Sequence, residues 1–168
     1  MGHNITAIIL SGDFDRDLAK EFGLIEKNLS FELTLFHIDG WYAAYWQHLL
    51  KTEGELGVKN ICKDWFMIIP SEIALAEIMK RISKQSEPKF AIVITDYFGG
   101  IGFQWANVFR GSINADKQIE TINQALRYLD VNAKAGLDEF DTVGLDKIRS
   151  QPGYLEKYRD LYDELGLD

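Results

Sequence analysis

At 168 residues, with 46% apolar and 12% aromatic side chains, the chain is long enough for one domain with a sizeable core and too apolar for disorder. A formal net charge of -8 argues against nucleic acid as a ligand, because phosphate contacts are built from Lys and Arg. The single cysteine, Cys62, excludes an intrachain disulfide framework, and no apolar run reaches the roughly 18 residues a membrane-spanning helix needs.

No basic segment precedes the first apolar run, so no secretory signal is expected and the cytosol is the expected compartment. The sequons at Asn4 and Asn28 would then stay unmodified. Gly2 fits a myristoylation pattern, but Ile5 already opens a strand-like run, which favours a structural reading.

Residues 5–10 are short, apolar and β-branched, as a buried strand requires. Ser11-Gly12-Asp13 breaks the run, and a short helix is expected over residues 15–22, with its acids near the N-terminus. Residues 29–35 alternate, with Leu29, Phe31, Leu33 and Leu35 on one side, and predict a half-buried second strand. Residues 40–51 place Tyr42, Tyr45, Trp46 and Leu49 on one helical face. A third strand is expected over residues 65–69, stopped by Pro70. Ser71 is then placed to cap a helix striped by Leu75, Ile78, Met79 and Ile82.

Two apolar runs, residues 90–95 and 104–109, flank Asp96-Tyr97-Phe98-Gly99-Gly100-Ile101-Gly102, which reads as a hairpin with glycine supplying positive φ. A helix is expected over about 116–129 with Ile119, Ile122, Leu126 and Leu129 inward. Residues 132–150 look loop-like, and Pro152 opens a last helix lined by Leu155, Tyr158, Tyr162 and Leu165. The expected fold is α/β to α+β: a single domain over residues 1–168, with one mixed sheet of about five strands, a hairpin in the C-terminal half, and about five flanking helices.

Candidate chemistries are sparse. Gly99-Gly100-Ile101-Gly102 is followed by a strand-like run rather than a helix, so it does not form a dinucleotide cradle. Asp13, Asp15 and Asp17 alternate as oxygen ligands for Ca²⁺ or Mg²⁺ would, but Leu18 and Leu24 stand where an EF-hand needs Gly and Glu. A metal-dependent hydrolase or phosphotransferase using Asp13, Asp15 and Asp96, with Asp39 at another strand end, is the enzymatic alternative. Zinc on His37, Asp39 and His48 lacks the usual four-ligand set, and no spacing supports Cys62 as a nucleophile with His37 as base. Helix capping and a satisfied core histidine account for these residues more simply, and no cofactor is expected.

Trp41, Tyr42, Tyr45 and Trp46 cover more than one helix face, which leaves Trp41 or Trp46 free for an interface. From Asp138 onward nine acids face four bases, so five of the eight net charges lie in this segment. Such a surface accelerates encounter with a basic partner.

Asp96-Tyr97-Phe98-Gly99-Gly100-Ile101-Gly102 with Gln104, and Leu137-Asp138-Glu139-Phe140-Asp141-Thr142-Val143-Gly144-Leu145, resemble paired motifs in small uncharacterised bacterial proteins. The resemblance spans about residues 91–150, through Ile122-Asn123-Gln124-Ala125-Leu126. No activity is established for that group, so the resemblance implies a bacterial cytosolic protein, with immunity-type neutralisation of a toxin as one form, and no catalytic residues.

The leading expectation is a non-enzymatic domain that binds a protein partner, in its most concrete form a basic toxin or nuclease, without nucleic acid or membrane. Its anchors would be Trp41, Trp46, Asp138, Glu139 and Asp141, with Tyr97 and Gln104 at the hairpin. Oligomeric state is not legible in the sequence.

Overall fold

The computed structural model describes residues 2–52 and 72–166. Cys62, the strand expected over residues 65–69, Pro70 and Ser71 lie outside the described residues. The elements run β1 (His3–Ser11), α1 (Arg16–Glu21), β2 (Glu26–Asn28), β3 (Leu33–His37), α2 (Gly40–Leu50) and α3 (Glu72–Ser83). They continue with β4 (Lys89–Phe98), β5 (Ile101–Arg110), β6 (Ile113–Asn114), α4 (Ile122–Tyr128), α5 (Glu139–Val143) and α6 (Lys157–Glu164), with short 3-10 turns at Leu145–Lys147 and Gly153–Glu156.

The six described strands form one sheet in the order β2-β3-β1-β4-β5-β6, and every ladder is antiparallel. A single parallel bridge joins Asn4 to Ser150. The expected α+β class, with a C-terminal-half hairpin and helices flanking one sheet, is the architecture observed.

Why β1 and β4 read as unbroken apolar runs is plain from the layering. Strands normally alternate because one face meets water, but a sheet covered on both faces needs apolar residues at every position. One face of the sheet presents Ile8, Leu10, Phe36, Ile92, Ile94 and Phe109 to α1, α2, α3 and α6. The opposite face presents Ile5, Ala7, Ile9, Leu35, Val93 and Val108 to α4 and α5. The sheet is therefore the middle of three layers.

The aromatic surplus of α2 is largely absorbed on the first face. Tyr42 is fully buried, donates its hydroxyl to the Phe22 carbonyl at 2.7 Å and packs on Tyr158 with ring centroids 4.8 Å apart. Trp46 packs against Phe22, Tyr42 and Tyr45 at 4.9, 6.4 and 5.3 Å. Burial drives the Tyr42 phenol well above its usual pKa, with Tyr158 and Tyr154 adding to the shift.

Three elements depart from the sequence reading. The alternation over residues 29–35 is not one strand: Phe31 and Glu32 take φ of 64° and 58°, reversing the chain so that β2 and β3 form a hairpin. The helix expected from about residue 116 starts only at Ile122, after Thr121 and Gln124 close a reciprocal capping box. Finally, residues 132–150 contain the helix α5, capped by the Asp138 side chain and closed by Gly144 at φ 95°.

Candidate functional site

The last β1–β4 pair is His3 with Tyr97, so the hairpin beyond Tyr97 extends clear of the sheet. Gly99 and Gly100 carry φ of 61° and 80°, both positive, which makes a two-residue turn of the mirror type that matches strand twist. Gly102 is required for a different reason. A Cβ there would fall on the Asp96 carbonyl oxygen and 2.6 Å from Tyr97 Cα, so the two strands approach more closely than a side chain allows.

Where the hairpin leaves the sheet, a cleft of about 350 Å³ opens on the second face. Its hairpin wall is Thr95, Tyr97, Gly100 and Gln104; its opposite wall is Ile122 and Asn123 of α4 with Asp138 and Phe140 of α5. His3, Asp146 and Arg149 close it.

Most of its polar groups hold the walls together. Thr95 Oγ1 accepts the Ile5 N–H at 3.1 Å and lies 2.7 Å from His3 Nδ1. His3 Nε2 sits 2.9 Å from the Leu145 carbonyl, which can only accept, so Nε2 carries a proton and donates it there. The imidazole also packs on Phe140, 5.1 Å between centroids. Gln104 Oε1 accepts the Ile122 N–H at 3.0 Å, while its amide nitrogen donates to the Tyr97 hydroxyl at 3.3 Å. Asn123 bridges α4 to α5 by accepting the Phe140 N–H at 2.9 Å and donating to Asp138 Oδ2 at 3.1 Å. Asp138 Oδ1 in turn accepts the Asp141 N–H at 2.9 Å as the cap of α5.

Two charged residues are less occupied. Arg149 donates Nε to the Gly2 carbonyl at 3.1 Å. Asp146 keeps Oδ1 out of solvent with no hydrogen-bond partner among the described residues. Burial pushes the Asp141 carboxyl up, and repulsion from Asp138 and Asp146 adds to it.

Among the residues expected at a site, Tyr97, Gln104 and Asp138 meet in this cleft, and the two motif segments form its facing walls. Asp141 opens instead onto a second cleft of about 820 Å³, beside Lys27, Lys134 and Lys147. Glu139 is not a surface anchor: it is 9% exposed and paired with Arg127 Nη1 at 3.3 Å. Trp41 and Trp46 lie on α2, across the sheet from α5, so they share no surface with Asp138 and Asp141. Trp41 stays half-buried, 5.5 Å from the Tyr162 ring and under the Arg159 guanidinium.

The alternative carboxylate site does not assemble. Asp96 pairs with Asn4 at the start of β1, whereas Asp13 and Asp15 follow its far end. The intervening strand, at about 3.3 Å per residue, holds them more than roughly 20 Å apart. Asp15 caps α1 through the Leu18 N–H at 3.0 Å and pairs with Lys84 at 3.4 Å, and those contacts lower its pKa. Asp39 caps α2 at Tyr42 N, and burial raises its pKa. His37 points to the second face while His48 is exposed on α2, so the zinc set is also dispersed. Among the described residues no group of three or more His, Cys, Asp or Glu side chains could hold a metal ion. No described helix is long and apolar enough to cross a membrane.

Sequence reasoning missed His3, Asn123, Asp146 and Arg149. Asn123 stands in the segment joining the two motifs, which is the one signal that could have found it. His3 and Arg149 carry no local signal: the β1–β4 register brings His3 here, and the bridge from Asn4 to Ser150 brings Arg149. Compared with known proteins, the chain matches no family model, no curated protein and no solved structure.

Proposed function

We propose that the protein is a non-catalytic domain that binds a basic protein through the tip of the β4–β5 hairpin and the acidic rim beside it. The observation that carries this reading is the pair Phe98 and Ile101, 82% and 83% exposed. They are direct cross-strand partners, so they share one face of the tip. Burying one such side chain is worth about 1.5–3 kcal/mol, and a projecting apolar pair is the form interface anchors take.

Charge complementarity sets the partner's chemistry. Burial raises the Asp141 pKa and repulsion from Asp138 and Asp146 adds to it; a cationic surface relieves that repulsion. Neutralisation of a basic toxin or nuclease is the most concrete form of this reading.

The test is affinity capture from native-host lysate at low and then high salt, read by mass spectrometry, for wild type, Phe98→Ser/Ile101→Ser and Asp141→Lys. All three substituted positions are exposed, so the fold should persist. The expected result is one stoichiometric basic protein held by wild type, released at high salt and lost from both variants. Capture that is equal across the three proteins, or indifferent to salt, refutes the reading.

A further inference from the structure

The cleft between the hairpin and α4–α5 is walled by opposite charges that do not neutralise each other. Arg149 and Asp146 are three positions apart and line the same cavity, with Asp138 across from them, yet no ion pair joins Arg149 to either acid among the described residues. The Nε bond to the Gly2 carbonyl fixes the guanidinium plane and leaves its terminal nitrogens without a partner among the described residues. Asp146 Oδ1 is shielded from solvent and has no donor among the described residues, so the half-buried carboxylate is short of hydrogen bonds and its second oxygen is the one open to a ligand N–H.

The remaining capacity of the walls is equally mixed. Asn123 and Gln104 have each committed one amide N–H, leaving one spare apiece. Between the charged groups, Ile122, Phe140 and the face of His3 supply apolar surface.

The geometry points to this cleft as a binding site for a free α-amino acid with an apolar or aromatic side chain. Its ammonium group would donate to Asp146 and Asp138, and its carboxylate would accept from the Arg149 fork with the spare amide N–H groups. Its side chain would lie on Phe140 and Ile122. A simple amine leaves Arg149 unanswered, and a simple carboxylate leaves Asp146 unanswered. A cavity of about 350 Å³ is at the small end of ligand sites, which suits an amino acid better than a nucleotide.

Titration calorimetry with L-phenylalanine, L-leucine, phenethylamine and 3-phenylpropanoate tests the assignment on wild type, Arg149→Met, Asp146→Asn and the control Lys134→Met. Lys134 lines the second cleft rather than this one. Wild type and Lys134→Met should bind L-phenylalanine or L-leucine, and both achiral analogues should bind about tenfold or more weakly, the loss of one charged hydrogen bond. Arg149→Met should weaken the amino acid by a similar factor and leave phenethylamine unchanged. Asp146→Asn should weaken the amino acid and leave 3-phenylpropanoate unchanged. Melting temperatures of the variants report their folding separately. No binding by folded wild type at millimolar ligand overturns the proposal, as does binding indifferent to both variants or analogues that match the amino acid. These outcomes are read without any protein partner, so they stand apart from the capture experiment at the hairpin tip.

Discussion

Acidification should destabilise this protein through His37. The ring is 3% exposed on β3, opposite Ala7, and neither nitrogen has a hydrogen-bond partner among the described residues. Burial lowers its pKa to about 4, with the positive charge of Lys27 adding to the effect. In the unfolded chain the ordinary value near 6.5 returns. Between the two values the unfolded state binds a proton that the native state refuses, so stability falls as pH falls. Above about pH 6.5 no penalty exists, and below about pH 4 it is complete. At about pH 4.5 the loss amounts to roughly 2–3 kcal/mol, a sizeable share of the 5–15 kcal/mol typical of a domain. Asp15 titrates below this window because its pKa is lowered, whereas Asp39 and Asp141, whose values are raised, gain protons on folding and oppose the trend. Urea unfolding followed by circular dichroism, from about pH 7.5 to about pH 4.5, isolates the histidine by comparison with His37→Leu. The variant should be at least as stable as wild type at neutral pH and lose about 2–3 kcal/mol less on acidification. Equal losses in the two proteins would refute the reasoning.

Three further predictions concern the frame of the cleft. Gly102→Ala sets a methyl against the Asp96 and Tyr97 backbone, which cannot swing aside as a side chain can; it should cost about 1–3 kcal/mol in urea unfolding. Gly99→Asn, at a position with positive φ and open space around it, should be nearly neutral in the same assay. Thr121→Ala removes the hydroxyl that accepts the Gln124 N–H at 3.2 Å and should cost about 1 kcal/mol, read as a lower melting temperature. Because Thr121 precedes the Ile122 N–H held by Gln104, this variant should also increase hydrogen exchange at Ile122.

Local chemistry explains what was legible. β1 and β4 announce themselves by composition, the Gly99-Gly100 turn by glycines that admit positive φ, α1 by its early acids and α2 by its aromatic stripe. Each signal lies within a few residues of the element it specifies. Alternation over residues 29–35 misled because chain reversal at Phe31 and Glu32 uses no glycine and so leaves the apolar period intact. The aromatics of α2 gave too large a surface because their partners Phe22 and Tyr158 come from α1 and α6, contacts that spacing within α2 cannot reveal.

The sequence by itself determined β1, the β4–β5 hairpin, the helical face of α2 and the acidic balance, since these follow from neighbours along the chain. Tertiary structure alone decided that His3, Gln104, Asn123 and Arg149 border one cleft. That outcome depends on the β1–β4 register, which sets His3 beside Tyr97, and on the packing of α4 and α5 over the second face. The same register carried Asp96 away from Asp13 and Asp15. His3 meets Thr95 and Leu145 across 92 and 142 residues of chain, separations over which no local pattern persists.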